Sequence, residues 1–221
     1  MEYFGFETNS GKINMQIDKD LLDLAINKKV SHPFFRLYAW SPACVSLGRN
    51  QNDNFLDKKF LNSKNINIVK RLTGGRALLH DKELTYSFIC PASNLKNGES
   101  IVNSYKEISR FLIKGFEKLN IKLEFAENKR PDTKFDYCMS VSTGADLCFE
   151  GKKLIGSAQF RKEGYILQHG SILFDYDKSL IEQIFNEDFD ENSITCINKI
   201  NPSIVIEDVI KALLESFKIE V

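Results

Sequence analysis

Two adjacent glycines, Gly74 and Gly75, lie between Arg71 and Arg76 in the stretch RLTGGRALLHDKELTYS that runs from Arg71 to Ser87. Two missing β-carbons let the backbone bend sharply and let a ligand or a second chain come close to its N–H groups. The arginines add positive charge and planar donors suited to carboxylate, phosphate or carbonyl oxygens. His80 and Asp81 follow, so polar groups gather where the next apolar run ends. Apolar residues over 66–69 and 77–79 predict strand, tight bend, strand. Such a unit is either a plain hairpin with surface arginines or one wall of a binding cleft.

A second set of groups lies further along. Cys138 precedes a run of small residues and hydroxyls, Ser140-Val141-Ser142-Thr143-Gly144, which reads as a loop rather than a core strand. A loop cysteine is a candidate nucleophile, but reactivity requires a thiolate held by nearby positive charge or a helix N-terminus. Lys152 and Lys153 open a predicted strand on which neighbours point to opposite faces, so at most one of them faces a cleft. After Lys153, the small residues Gly156, Ser157 and Ala158 leave room for a flat acyl chain or a backbone. His169, Gly170 and Ser171 interrupt another apolar run, and His169 reads as a core histidine or a cleft residue. Arg49-Asn50-Gln51 after Gly48 reads as a turn or a ligand contact.

These groups must be positioned by a core, and 221 residues are enough for a sizeable one, read here as a single domain over residues 1–221. The charges balance, 30 basic against 30 acidic, so no overall field argues for nucleic acid or an anionic membrane as partner. No apolar run approaches the roughly 18–20 residues that cross a bilayer. The opening MEYFGFETNSGK lacks the apolar region of a signal peptide, which predicts a cytoplasmic protein. Five scattered cysteines, Cys44, Cys90, Cys138, Cys148 and Cys196, show no metal-ligand spacing, so thiols are expected and a metal site is not.

Periodicity supplies the elements. Ile17, Leu21, Leu24 and Ala25, with Asp18, Lys19, Asp20 and Asp23 between them, predict an amphipathic helix over 14–26 packed on a sheet. Strands are expected over 34–40 and 43–47, forming a core hairpin around Ser41-Pro42, and over 84–90. Ile101, Tyr105, Ile108, Leu112, Phe116 and Leu119 predict a helix over 100–119 with Ser100 as its N-cap. Strands over 145–150 and 152–159 turn at Gly151, another covers 165–175, and a helix carries Ile206, Val209, Ile210, Leu213, Leu214 and Phe217.

Taken together, Lys70 to Ser87 resembles the RRxTGGRAxLHxxELTYS motif of the lipoate-assembly acyltransferases, with lysine in place of the first arginine. The likeness extends to Asn14-Met15 before an acidic helix, SLGRNQ over 46–51, K-x-x-G-S-A from Lys153 to Ala158, and QHGSIL over 168–173, which fits HG[ST]-L. This superfamily, which includes the lipoate-protein and biotin-protein ligases, acylates one lysine of a carrier domain. The resemblance implies an α+β fold of biotin/lipoate protein ligase catalytic-domain type, with mixed or antiparallel central sheets flanked by helices. It also implies that Lys153 contacts the carbonyl of the bound acyl group. Arg71, Thr73, Gly74, Gly75, Arg76, His80, Gly156, Ser157, Ala158, His169, Gly170 and Ser171 would then form the acyl site.

Two branches differ in the acyl donor. A ligase makes an acyl-adenylate and needs ATP and Mg²⁺, whereas an octanoyltransferase takes octanoate already activated as a thioester on acyl carrier protein and needs no cofactor. Ligases resemble RRxSGGG, where this chain has Arg76, and many carry a further C-terminal domain where this sequence closes soon after its last helix. One octanoyltransferase branch places a nucleophilic cysteine in a loop before the K-x-x-G-S-A strand, and Cys138 precedes Lys153 by 15 positions. That resemblance implies a Cys138 thioester, octanoyl-acyl carrier protein as donor, and as acceptor a lipoyl domain such as that of the glycine-cleavage H protein or a 2-oxoacid dehydrogenase E2. The chain departs from the branch at Ser142, Gly144 and Asp146, where a proline, an aromatic and a glutamate are usual. Residues 145–147, ADL, lie halfway to the ligases' Asn-Asp-Leu. His80 and Asp146 stand as possible general bases.

Overall fold

The computed structural model describes residues 2–126 and 146–220, so Cys138 lies outside the described residues. In chain order the elements are β1 (Glu2–Asn9), α1 (Gly11–Asn27), β2 (Phe34–Trp40), β3 (Cys44–Leu47), α2 (Lys58–Ser63), β4 (Asn67–Lys70), β5 (Leu78–His80) and β6 (Glu83–Pro91). They continue with α3 (Ile101–Glu117), β7 (Glu124–Phe125), β8 (Leu147–Phe149), β9 (Lys152–Lys162), β10 (Tyr165–Leu173), α4 (Lys178–Phe185), α5 (Ile197–Ile200) and α6 (Ile206–Glu220). The fold is α+β with two mixed sheets. The larger has seven strands in the order β1-β2-β6-β10-β9-β8-β7, and the smaller runs β4-β3-β5.

Two expected hairpins do not form. β2 pairs with β1 and β6 in the large sheet, while β3 pairs with β4 and β5 in the small one, so residues 41–43 carry the chain from one sheet to the other. Likewise β4 and β5, on either side of the glycine pair, never pair with each other. β3 lies between them, parallel to β4 and antiparallel to β5. The Gly74-Gly75 segment is therefore a crossover above the end of β3, and its length suits spanning one intervening strand rather than turning a hairpin.

The main core lies between one face of the large sheet and the helices α3 and α6. Alternation along β2 sends Phe35 and Leu37 into it, where they meet Phe88, Phe111, Phe116 and Phe217. Ser100 caps α3 as expected, its hydroxyl accepting from the Asn103 N–H at 3.4 Å. Ile101, expected on the apolar stripe, is exposed instead, and the buried face runs through Ser104, Ile108, Phe111, Leu112, Gly115 and Phe116. On the opposite sheet face, Leu21, Leu22 and Ala25 of α1 pack on Phe34, Ile89 and Leu167. A further core joins the small sheet to α2 and α4 through Val45, Leu47, Leu61, Leu79, Ile181 and Phe185.

Helix α1 is rotated by about one position from its expected face. Its buried side comprises Gly11, Asn14, Asp18, Leu21, Leu22 and Ala25, whereas Leu24 is exposed. The reason is polar: Asp18, expected between the apolar positions, is buried against Arg36 and Tyr38 of β2. Arg36 Nη1 donates to Asp18 Oδ1 at 3.3 Å, Arg36 Nη2 to Asn14 Oδ1 at 2.7 Å, and Tyr38 Oη to Asp18 Oδ2 at 2.9 Å. A buried carboxylate is tolerated when it is paired and hydrogen-bonded in this way.

Candidate active site

Between the two sheets lies a cavity of about 370 Å³, within the usual range of small-molecule sites of roughly 300–1,000 Å³. Its wall brings together most of the residues singled out from the sequence: Arg71, Gly74, Gly75, Arg76 and His80 from the crossover and β5, Lys153, Gly156, Ser157 and Ala158 from β9, and His169, Gly170 and Ser171 from β10. Thr73 sits behind that wall, fully buried and bonded to His169. The sequence reading missed Trp40, Ser46, Thr85 and Gln159, which also line the cavity. Met15 does so as well, from the turn of α1 next to Asn14.

Of the two adjacent lysines, Lys152 is exposed and Lys153 is buried in the cavity wall, as strand alternation requires. The Lys153 backbone is clamped by the segment 193–195, donating to Ser193 O and accepting from Thr195 N, both at 2.9 Å. Its Nζ lies 3.0 Å from Asp146 Oδ2, and both side chains are almost wholly removed from solvent. Asp146 Oδ1 accepts from the Ser157 N–H at 3.4 Å, so one carboxylate ties the ammonium to the small-residue stretch of β9. The Asp146 carbonyl also accepts from Ala126 N at 3.0 Å. The two ends from which the chain departs toward and returns from Cys138 are therefore joined at the edge of this cavity.

Arg71 does not project into open space. Its Nε donates to Thr73 Oγ1 at 3.0 Å, Nη1 to Ser46 O at 2.9 Å and Ser46 Oγ at 3.0 Å, and Nη2 to Gly74 O at 2.9 Å and Arg76 O at 2.6 Å. Five guanidinium N–H groups thus meet five acceptors of their own chain. The glycines serve that folding. Gly75 adopts φ +93°, and a β-carbon on Gly48 would stand 1.9 Å from the Gly75 carbonyl oxygen. The close approach seen at the glycine pair is made by Gly48 of the same chain, at the end of β3, to the Gly75 carbonyl, whereas the sequence led us to expect a ligand or second chain at the N–H groups. Gln51 Oε1 accepts from Gly48 N at 3.1 Å, while Arg49 reaches across to within 5.5 Å of the Phe160 ring centroid.

Both cavity histidines are held at both nitrogens. His169 has Nε2 2.8 Å from Thr73 Oγ1 and Nδ1 3.2 Å from Asp18 Oδ2. His80 has Nε2 2.8 Å from Ser46 Oγ and Nδ1 3.3 Å from Glu83 Oε1, with Trp40 stacked on it at 3.8 Å. Burial pushes His80 below the ordinary histidine value, against the opposing pull of Glu83. His32, by contrast, is an exposed residue before β2, near Glu2.

The four described cysteines are all buried. Burial pushes the thiols of Cys44 and Cys90 up to about 12 and raises that of Cys196. Such thiols carry almost no thiolate near neutral pH. Among the described residues no group of three histidine, cysteine or acidic side chains is placed to hold a metal, and no helix is long and apolar enough to cross a membrane.

Comparison with known proteins decides the family. Residues 10–218 match the model of the lipoyl protein ligase A/B catalytic domain. The chain belongs to that family. Its relatives include an octanoyltransferase LipM of Macrococcus caseolyticus, 38% identical over 186 residues that take in 80% of this chain and 66% of the relative. The octanoyltransferase LipM of Staphylococcus aureus is 38% identical over 183 residues, 78% of this chain and 64% of that protein. The chain thus spans slightly less than two thirds of the length of these curated relatives. Among solved structures, lipoate-protein ligase A bound with ATP superimposes with a TM-score of 0.80, covering 100% of this chain and 85% of that one at 19% identity. At that identity the likeness establishes the shared α+β fold.

Proposed function

We propose that this protein transfers an octanoyl group from the thioester of an acyl carrier protein to a lysine of a lipoyl carrier domain, through a thioester on Cys138, with residues 1–221 acting as one catalytic domain. The reading is carried by the buried Lys153–Asp146 pair at 3.0 Å, set in a ligand-sized cavity where the chain that bears Cys138 joins the described structure. The named relatives are octanoyltransferases, and the four described thiols are buried, leaving Cys138 as the remaining cysteine for covalent chemistry.

In the first half-reaction the Cys138 thiolate attacks the octanoyl carbonyl. A new C–S bond forms, the carrier C–S bond breaks, and the carrier thiolate leaves and is protonated. In the second, a neutral lysine amine of the lipoyl domain attacks the enzyme thioester, forming the amide C–N bond, expelling the Cys138 thiolate and releasing one proton. Each step develops negative charge on the acyl oxygen. Lys153 is the charged donor for that oxygen, and a donor already fixed in place is worth roughly 2.7–4 kcal/mol at such a site. Asp146 holds the ammonium in place. Gly156, Ser157 and Ala158 leave space for the chain, and Arg71, Thr73, Gly74, Gly75 and Arg76 shape the opposite side. The acceptor class is a lipoyl domain such as that of an H protein or an E2. This route calls on neither ATP nor Mg²⁺, and Arg76 stands at the wall where a ligase of the RRxSGGG type has a third glycine.

The test uses apo lipoyl domain with either octanoyl-acyl carrier protein and no ATP, or free octanoate and ATP. The first mixture is expected to add one octanoyl group to the acceptor. Cys138→Ser is expected to lose both this transfer and the octanoyl mass shift on the intact enzyme. Retention of both by Cys138→Ser removes the covalent route, and acylation in the ATP mixture alone assigns the chain to the ligases.

A further inference from the structure

Proton direction in the wall of the cavity can be read from groups that have only one role. A guanidinium donates and never accepts. The Thr73 hydroxyl therefore accepts from Arg71 Nε, and its other partner is His169 Nε2, to which it can give its own proton. The Ser46 hydroxyl likewise accepts from Arg71 Nη1 and can give its proton to His80 Nε2. Each imidazole then meets a carboxylate with the nitrogen that remains: His169 Nδ1 faces Asp18 Oδ2, and His80 Nδ1 faces Glu83 Oε1. Those carboxylates accept from other donors as well, Asp18 Oδ2 and Glu83 Oε1 each taking a second hydrogen bond on the oxygen that faces the ring. Arg36 and Tyr38 donate to Asp18. Trp40 Nε1, which can only donate, bonds Thr85 Oγ1 at 2.8 Å, and Thr85 in turn donates to Glu83 Oε1 at 2.6 Å.

We propose that Arg71 is a positioning residue: by donating to the hydroxyls of Thr73 and Ser46 at once, it fixes His169 and His80 as neutral rings protonated on Nδ1, with both Nε2 lone pairs occupied. The hydroxyl–imidazole–carboxylate sequences Thr73-His169-Asp18 and Ser46-His80-Glu83 look like nucleophile triads. They differ in that both hydroxyls are buried and have a guanidinium on the oxygen, which stabilises them as donors and weakens them as nucleophiles. The burial that lowers the His80 pKa acts in the same sense. The functional consequence rests on the acyl-transfer reading above. A wall without an open imidazole lone pair gives water no base beside a bound thioester, and neither histidine is the base for the incoming amine.

The chain has three histidines, so side-chain ¹H–¹⁵N long-range correlation spectra near neutral pH resolve each ring, with exposed His32 as reference. Two of the three are expected to show a protonated Nδ1 and an unprotonated Nε2. Thr73→Val is expected to shift the His169 signals alone, and Ser46→Ala those of His80. Arg71→Lys replaces the fork by a point donor and is expected to let at least one ring average between tautomers. A protonated Nε2 on either buried ring of the unaltered protein overturns the proposal. So does an Arg71→Lys spectrum identical to the parent's. Should Arg71→Lys fail to fold, the parent spectrum and Thr73→Val still decide. These spectra need no turnover, so they stand or fall separately from the acyl-transfer assay.

Discussion

Replacing Lys153 with alanine is expected, on the proposed acyl-transfer route, to lower octanoyl transfer by roughly 10²–10³-fold, the usual loss when one preset donor to a developing oxyanion is removed. Stability should also suffer. Lys153 and Asp146 are both almost fully buried and 3.0 Å apart, and removing one member of such a pair costs about 3–5 kcal/mol because a carboxylate is left in a low-dielectric site. Two variants separate these effects. Lys153→Met with Asp146→Leu removes both charges and is expected to melt above Lys153→Ala, since apolar replacement of a whole buried pair is often neutral or better. The same double variant should remain inactive. Lys153→Arg keeps the charge but changes its reach and geometry, and should fall between alanine and the parent in rate. Octanoyl transfer at parental rate by the double variant removes the ammonium from the mechanism.

Phe111→Ala is the substitution expected to cost the fold most. From α3 this ring meets Phe35 at 5.3 Å, Tyr86 at 5.9 Å, Phe88 at 5.9 Å and Phe217 at 5.2 Å between centroids, linking strands β2 and β6 to helices α3 and α6 in one contact set. Truncating a ring in so closed a site costs about 3–5 kcal/mol. For a chain of this size that is a fall in melting temperature of roughly 10 °C. Denaturant titration checks it: the midpoint should drop with little change in slope. A loss below about 1 kcal/mol shows that α6 and the sheet close around the gap without the ring. Tyr86, in contact with this ring, is hydrogen-bonded to Ser157 of the cavity wall, so some loss of activity should accompany the loss of stability.

Local chemistry was the legible part of the sequence. Ser100 is a cap because a short hydroxyl before an apolar helix has one obvious use; strand alternation allowed only one of Lys152 and Lys153 to face a cleft, and the small residues after Lys153 with the K-x-x-G-S-A likeness chose between them. The wall residues of the cavity followed from motif likeness, not from spacing. Pairing between strands was not legible. Nothing in the apolar runs beside Gly74 and Gly75 reveals that β3 passes between them, because that partner lies more than 20 positions upstream. The face of α1 was misplaced for a different reason. Apolar periodicity cannot register Asn14 and Asp18, whose burial depends on Arg36, a charged residue inside an aromatic strand. The four-residue step from Asn14 to Asp18 to Leu22 was the signal available, and it becomes readable once a buried cation is sought to match it.

Trp40 is the sole tryptophan of the chain, and its indole lies flat on His80 at the edge of the cavity. The protein therefore has an optical reporter already in place. Emission on excitation near the red edge of protein absorbance comes from this ring alone, and filling the cavity with a fatty acyl chain is expected to alter its intensity or colour. Titration with octanoate or an octanoyl thioester can follow occupancy in real time, with no label attached and no chemistry required.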